Sequence, residues 1–169
     1  WPSAVPCNSM KPPPSFITVW GHQGTGNGLF NSPFGVAVDP STGEVYVADT
    51  FNHRVQKFDP TGGTLFAWGQ PGATEAPGSG RETQFFGPRD IVIDGQGRLL
   101  VSDTGNKRIQ VFDSEGNFIA QFGKAGAGDG QFNEPVGIAL DAQGNIFVAD
   151  AWNKRIQVWN PDFTFQRAF

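Results

Sequence analysis

Three copies of one polar octapeptide constrain this chain more than any other feature it carries. Asp49-Thr-Phe-Asn-His-Arg-Val-Gln56 returns as Asp103-Thr-Gly-Asn-Lys-Arg-Ile-Gln110, and again as Asp150-Ala-Trp-Asn-Lys-Arg-Ile-Gln157. The spacings are 54 and 47 residues. A period of that size marks a repeat architecture, in which one supersecondary unit is stacked against its copies. Each copy also sits in the same neighbourhood. A proline and an alternating apolar run precede it (33–38, 88–93 and 135–140), then a glycine-containing turn, then a second apolar run from Val45, Leu99 or Ile146. An aromatic residue closes each unit, at Trp68, Phe122 and Phe169.

Each unit therefore holds four short runs rich in β-branched and aromatic residues, separated by turn residues. Read as strands, they span 34–38, 45–48, 54–58 and 64–68, then 89–93, 99–102, 108–112 and 118–122, then 136–140, 146–149, 155–159 and 164–168. Four strands in a repeat of about 40–50 residues is the pattern of one propeller blade. The expected fold class is all-β, with three four-stranded antiparallel blades at 33–69, 88–123 and 135–169. The extra length between the first two copies falls in 69–87, and an insertion there leaves a blade intact because loop closure costs rise slowly with length. Composition agrees: 23 glycines and 13 prolines interrupt any long helix, and 16 Phe with 5 Trp exclude a disordered chain. No apolar run approaches the roughly 20 residues needed to span a bilayer. Cys7 is the single cysteine, so no internal disulfide can form.

The Asp-x-x-Asn-[His/Lys]-Arg-[Val/Ile]-Gln motif at 49–56, 103–110 and 150–157, with the strand pairs before it, resembles the NHL-repeat family of β-propellers. The resemblance runs over residues 16–169 and implies a ring of blades, usually six. This chain supplies three, plus an isolated match to an outer strand at 16–20 (Phe16-Ile-Thr-Val-Trp20). Residues 1–15, with Pro2, Pro6 and Pro12–Pro14, read as a Pro-rich arm or linker. An arc of three blades leaves two terminal flanks without a neighbour. The ring is expected to be completed by missing sequence, by a second copy or by another subunit, with missing sequence preferred because the match at 16–20 has no partner strands before it.

The motif itself reads first as architecture. One need repeated three times explains Asp49, Asn52 and Arg54, then Asp103, Asn106 and Arg108, then Asp150, Asn153 and Arg155. The aspartates are expected to accept from turn N–H groups as in Asx-turns, and the arginines to pair with a carboxylate bidentately. The variable positions between them are the better binding candidates: Phe51, His53, Lys107, Trp152 and Lys154. The inserted loop adds Thr74, Glu75 and Arg81. Asp39, Asp94 and Asp141 close the first strands and are expected to cap turns rather than hold calcium. The Gly-x-Gly-x-Gly loops at 24–28 and 126–130 precede strands, not helices, so they read as connectors rather than phosphate cradles.

No catalytic residues are expected. The chain has only His22, His53 and the distant Cys7, so zinc or calcium enters only if absent blades supply ligands. Amidating lyases with NHL-like propellers hold zinc by histidines in the ring centre, and those histidines are lacking. The leading expectation is a non-catalytic binding or assembly scaffold that uses its loop face for protein, peptide or glycan recognition. A homo-oligomer or larger complex is a further expected partner. The alternatives are a fragment of a metal-dependent, lyase-like propeller enzyme, and RNA binding through the Asn-x-Arg turns. A net charge of −4 weighs against nucleic acid, whose binding rests on phosphate neutralisation. The resemblance favours an extracellular, periplasmic or membrane-tethered location over the cytoplasm, with membrane contact only through an attached segment.

Overall fold

The computed structural model describes residues 17–72 and 83–169. The first blade consists of β1 (Pro33–Val38), β2 (Val45–Asp49), β3 (Arg54–Phe58) and β4 (Thr64–Trp68). Two short strands, β5 (Gln70–Pro71) and β6 (Gln84–Phe85), pair in parallel and close the base of the long connector. The middle blade follows as β7 (Pro88–Ile93), β8 (Leu99–Asp103), β9 (Arg108–Phe112) and β10 (Phe118–Phe122). The third is β11 (Pro135–Leu140), β12 (Ile146–Asp150), β13 (Arg155–Trp159) and β14 (Phe165–Ala168).

In every blade the strands pair in chain order and antiparallel, and the sheets do not close into a ring. Sequence-based strand limits and observed ones agree to within a residue. The exception is 16–20: Ile17–Trp20 forms no strand. Among the described residues no strand lies beside this segment to take its hydrogen bonds, and a lone strand has no ladder. Phe16 and the arm at 1–15 fall outside the described residues.

Within each blade the second and third strands share an unbroken register, for example Val45↔Phe58 through Asp49↔Arg54. In the middle blade the apolar runs of these strands do not alternate with polar residues, because a neighbouring blade covers each face. Every residue of β8 and β9 is buried there. First strands stand next to one another along the inner edge of the arc. There Gly35 brings β1 within backbone contact of Asp90 on β7, so that a Cβ would lie 2.7 Å from the Asp90 Cα. The turn carboxylates act as expected: Asp39, Asp94 and Asp141 Oδ1 accept the N–H of Ser41, Gln96 and Gln143 at 2.7, 2.8 and 2.9 Å.

Two apolar clusters fill the junctions between blades. One joins Tyr46, Ala48 and Val55 of the first blade to Leu99, Val101 and Phe112 of the middle one; the other joins Leu100, Ile109 and Phe122 to Ile138, Val148 and Trp159. Phe85 and Phe132, three residues before each blade's proline, are fully buried and tie their connectors to this core. Among the described residues the flank of the first blade has no blade against it. Phe34, Val36 and Val38 on β1 are all more than half exposed.

Candidate functional site

The octapeptides build one face of the arc. Each begins at the end of a second strand, makes a single turn of 3₁₀-helix (Thr50–Asn52, Thr104–Asn106 or Ala151–Asn153), and enters the third strand through His53, Lys107 or Lys154. These three adopt left-handed φ of 54–57°, which costs a side-chain-bearing residue some strain.

The buried aspartate does not cap its own turn. Asp49 Oδ1 accepts the N–H of Asn31, at the end of the incoming connector, at 2.7 Å. Its Oδ2 gathers Asn52 Nδ2, Arg54 Nε and Gln56 Nε2 at 2.8, 2.8 and 3.0 Å. The arginine is correspondingly not bidentate on the carboxylate, because Nη2 reaches past it to the carbonyls of Gly26 and Leu29. Asn52 donates to Gly24 O, and Gln56 both donates to Leu29 O and accepts from Gly28 N–H.

The same lashing recurs at Asp103 with Phe86 N–H, Asn106, Arg108 and Gln110, and at Asp150 with Asn133 N–H, Asn153, Arg155 and Gln157. The motif is thus a device that ties a glycine-rich connector to the blade it enters. Removing one partner of such a buried ion pair costs about 3–5 kcal/mol, because the other is left uncompensated.

The copies differ in electrostatics. Burial pushes the Asp103 carboxyl above its ordinary range despite its donors. At Asp150 burial also pulls upward, but the hydrogen bonds from Asn133, Asn153, Arg155 and Gln157 prevail and the carboxyl lies below that range. In the middle blade Gln110 Oε1 is buried without a partner among the described residues, whereas Gln56 and Gln157 each accept a glycine N–H.

With the arginines committed to connectors, the turn face presents other groups. Phe51 and Trp152 are exposed, at 58% and 67%. His53 stacks on Phe86, with ring centroids 5.4 Å apart and planes at 12°, and accepts the Gly87 N–H at Nδ1. Lys107 Nζ donates to Asn133 Oδ1 at 2.9 Å, and Lys154 is exposed. Thr74, Glu75 and Arg81 lie outside the described residues. Phe86 and Arg89 went unnoticed in the sequence, yet they join Phe51, His53 and Glu134 around a cleft of about 300 Å³ between the first two blades. The signal was an exchange: Phe86 stands where the other connectors carry Asn31 and Asn133, and Gly105 where the other turns carry Phe51 and Trp152.

Histidine-held zinc does not fit these residues. His53 Nδ1 is engaged by the backbone, His22 sits exposed on the first connector, and among the described residues no three His, Cys, Asp or Glu come together.

Four-stranded blades set side by side and tied by this motif define a β-propeller array. Family models say which kind: residues 30–58 match the NHL repeat, and residues 85–167 match a family described as 6-bladed beta-propeller. The chain thus carries NHL-type repeats in a β-propeller array.

Among curated proteins it is similar to peptidyl-glycine alpha-amidating monooxygenase A of Xenopus laevis, with 41% identity over 95 residues. That match covers 54% of this chain and 10% of the relative. NHL repeat-containing protein 3 of Mus musculus is 37% identical over 100 residues, which is 56% of this chain and 26% of that protein. The chain thus spans about a tenth to a quarter of the curated relatives it matches. Among solved structures, a catalytically inactive virginiamycin B lyase from Staphylococcus aureus superposes with a TM-score of 0.62 at 16% identity, covering 82% of this chain and 41% of that one. At that identity the likeness is one of fold.

Proposed function

We propose that this chain is a non-catalytic recognition scaffold that binds protein, peptide or glycan partners through its turn face. One observation carries the reading. The repeated polar motif is engaged in holding connectors, so what the same face offers to solvent, beside Lys154, is chiefly aromatic: Phe51, Phe86 and Trp152, all more than half exposed. Exposed rings held on a rigid frame are characteristic of recognition surfaces, where they supply contact area at small entropic cost.

RNA is a weaker partner for this face, because Arg54, Arg108 and Arg155 each donate to an aspartate and a connector carbonyl rather than to solvent. The open flank at Phe34, Val36 and Val38 supports a second copy or another subunit as an additional neighbour.

The test is selection of a displayed random-peptide library on the protein and on a Phe51→Ala, Phe86→Ala, Trp152→Ala triple variant. The expected result is a family of peptides that loses at least tenfold affinity for the variant. Selected peptides that bind both proteins equally would remove the turn face from the function. A second reading, part of a metal-dependent amidating lyase, draws on the names of the relatives. Stoichiometric zinc in the purified protein would move the conclusion to it.

A further inference from the structure

The cleft between the first and middle blades has a chemistry that its neighbours on the same face do not repeat. Its back wall exists because of the exchange between Phe86 and Gly105. The Gly105 N–H donates to Phe86 O at 2.8 Å, and a Cβ on residue 105 would lie 2.1 Å from the Phe86 ring. Glycine in the turn is therefore what allows the ring to lie across it. Phe86 remains 52% exposed while its other side rests on His53. With Nδ1 of His53 accepting from Gly87, the proton of the neutral imidazole sits on Nε2, leaving that nitrogen as a donor.

Arg89 supplies the charge. It interrupts the apolar run of its inner strand at a place filled by Phe34 and Val136 in the other blades. Its guanidinium lies 5.8 Å from the Phe34 ring centroid, and it takes part in none of the ion pairs among the described residues. Lying over an aromatic face orients a guanidinium while leaving its N–H fork free for an anion. Glu134 lines the same cleft and works against a second negative charge.

We propose that this cleft binds a carboxylate carried beside an aromatic ring, with the ring against Phe51 and Phe86 and the carboxylate on Arg89, assisted by His53 Nε2. A volume of about 300 Å³ is at the small end of ligand pockets, which matches one ring and its acid rather than a long segment. Guanidinium and carboxylate meet in planar, two-bond geometry. A phosphate dianion is the poorer occupant because of Glu134. The inference rests on the reading of the turn face as a recognition surface and names what one part of it takes.

Two sources present this chemistry: a chain-terminal carboxylate after an aromatic residue, and an aspartate side chain next to one. Three probes separate them by titration in heteronuclear NMR: N-acetyl-phenylalanine as the free acid, the same compound as its amide, and N-acetyl-aspartyl-phenylalanine amide. The expected result is saturable shifts at the amides of 86–89 with the free acid or the aspartyl probe, and at least tenfold weaker binding of the simple amide. Whichever acid binds more tightly identifies the source.

Arg89→Gln is expected to weaken the preferred acid about tenfold and Glu134→Gln to tighten it. Both residues stand clear of the buried lashings, and an unchanged spectrum elsewhere verifies folding. Equal binding of acid and amide, indifference to Arg89→Gln, or no binding of either acid overturns the proposal. If the acids fail while library-selected peptides still require Phe51 and Trp152, the cleft proposal falls and the scaffold reading stands. If both fail, the turn face itself is wrong.

Discussion

The two blade junctions are closed by opposite means. Between the first and middle blades, Trp68 at the end of an outer strand covers Gly116, where a Cβ would lie 2.9 Å from the indole. Between the middle and third blades the equivalent pair is Phe122 and Phe163, stacked with centroids 5.5 Å apart and planes at 6°. Trp20 over Gly62 repeats the first solution. Phe163 holds a φ of 70°, a conformation usually left to glycine and occupied by Gly62 and Gly116 in the other turns.

The charged partners differ as well. Lys57 reaches Glu44 at 2.9 Å and Glu115 across the first junction at 3.5 Å, whereas Arg98 crosses the second to Pro161 O and lies 4.7 Å from the Phe163 ring centroid. One element is shared. Thr50 Oγ1 donates to Pro88 O and Thr104 Oγ1 to Pro135 O, each at 2.6 Å and each buried. A large ring over a glycine closes one junction and two middle-sized rings facing each other close the other, so what a junction requires is a pair of residues and not one of them alone.

The sharpest way to break that comparison is to mix its halves. Gly116→Phe places a second ring under Trp68, and overpacking of that kind is expected to cost about 3 kcal/mol in urea denaturation. Adding Trp68→Phe rebuilds the second junction's pair in the first, and the double variant is expected to recover to within about 1 kcal/mol of the parent. A double variant as unstable as the single one would show that the pairs do not stand in for each other.

Smaller in size is the shared element. Thr50→Val and Thr104→Val each remove one buried hydroxyl bond and are expected to cost about 1 kcal/mol by the same measurement. Unequal losses would show that the latch is not common to both junctions.

The smallest effect is that of pH. Asp150 has a depressed carboxyl, so its contribution is complete at neutral pH and is lost as pH falls through that depressed value. Asp103 is raised, so its contribution is complete in acid and declines as pH rises through its elevated value. Hydrogen exchange between pH 6 and pH 3 is therefore expected to show β12 and β13 losing protection relative to β8 and β9. Parallel loss in both blades would contradict the assignment of opposite shifts.

Most of the blade plan was legible because its causes are local and repeated. The apolar runs, the glycines of the turns and the aromatic closing each unit lie within a few residues of what they determine, and three copies correct one another. What escaped the sequence involves partners that are distant along the chain. Asp49 was expected to serve its own turn, but its Oδ1 reaches Asn31, eighteen positions away, because the connector arrives with a backbone N–H to satisfy. Arg54 was expected to clasp a carboxylate with both arms, but the connector carbonyls of Gly26 and Leu29 compete for Nη2. By sequence Phe86 belongs to a connector and Arg89 to an apolar strand. Only their placement beside Phe51, His53 and Glu134, on other units, gives them a common address. Of the expected strand at 16–20, the described residues 17–20 form none for the same reason, since a strand is defined by its neighbour.

The parallel clip between β5 and β6 has a consequence of its own. Gln70 pairs with Gln84 and Pro71 with Phe85, while single bridges, Gln23 to Phe30 and Ala125 to Phe132, shut the other two connectors at the same place with a far shorter span between. Each excursion is stapled at its root before it departs, so the blades register the staple and not the contour beyond it. With both ends of the span held by the clip, closing a longer insert past Gly72 costs little more than closing this one, which makes that root a natural port for grafted sequence.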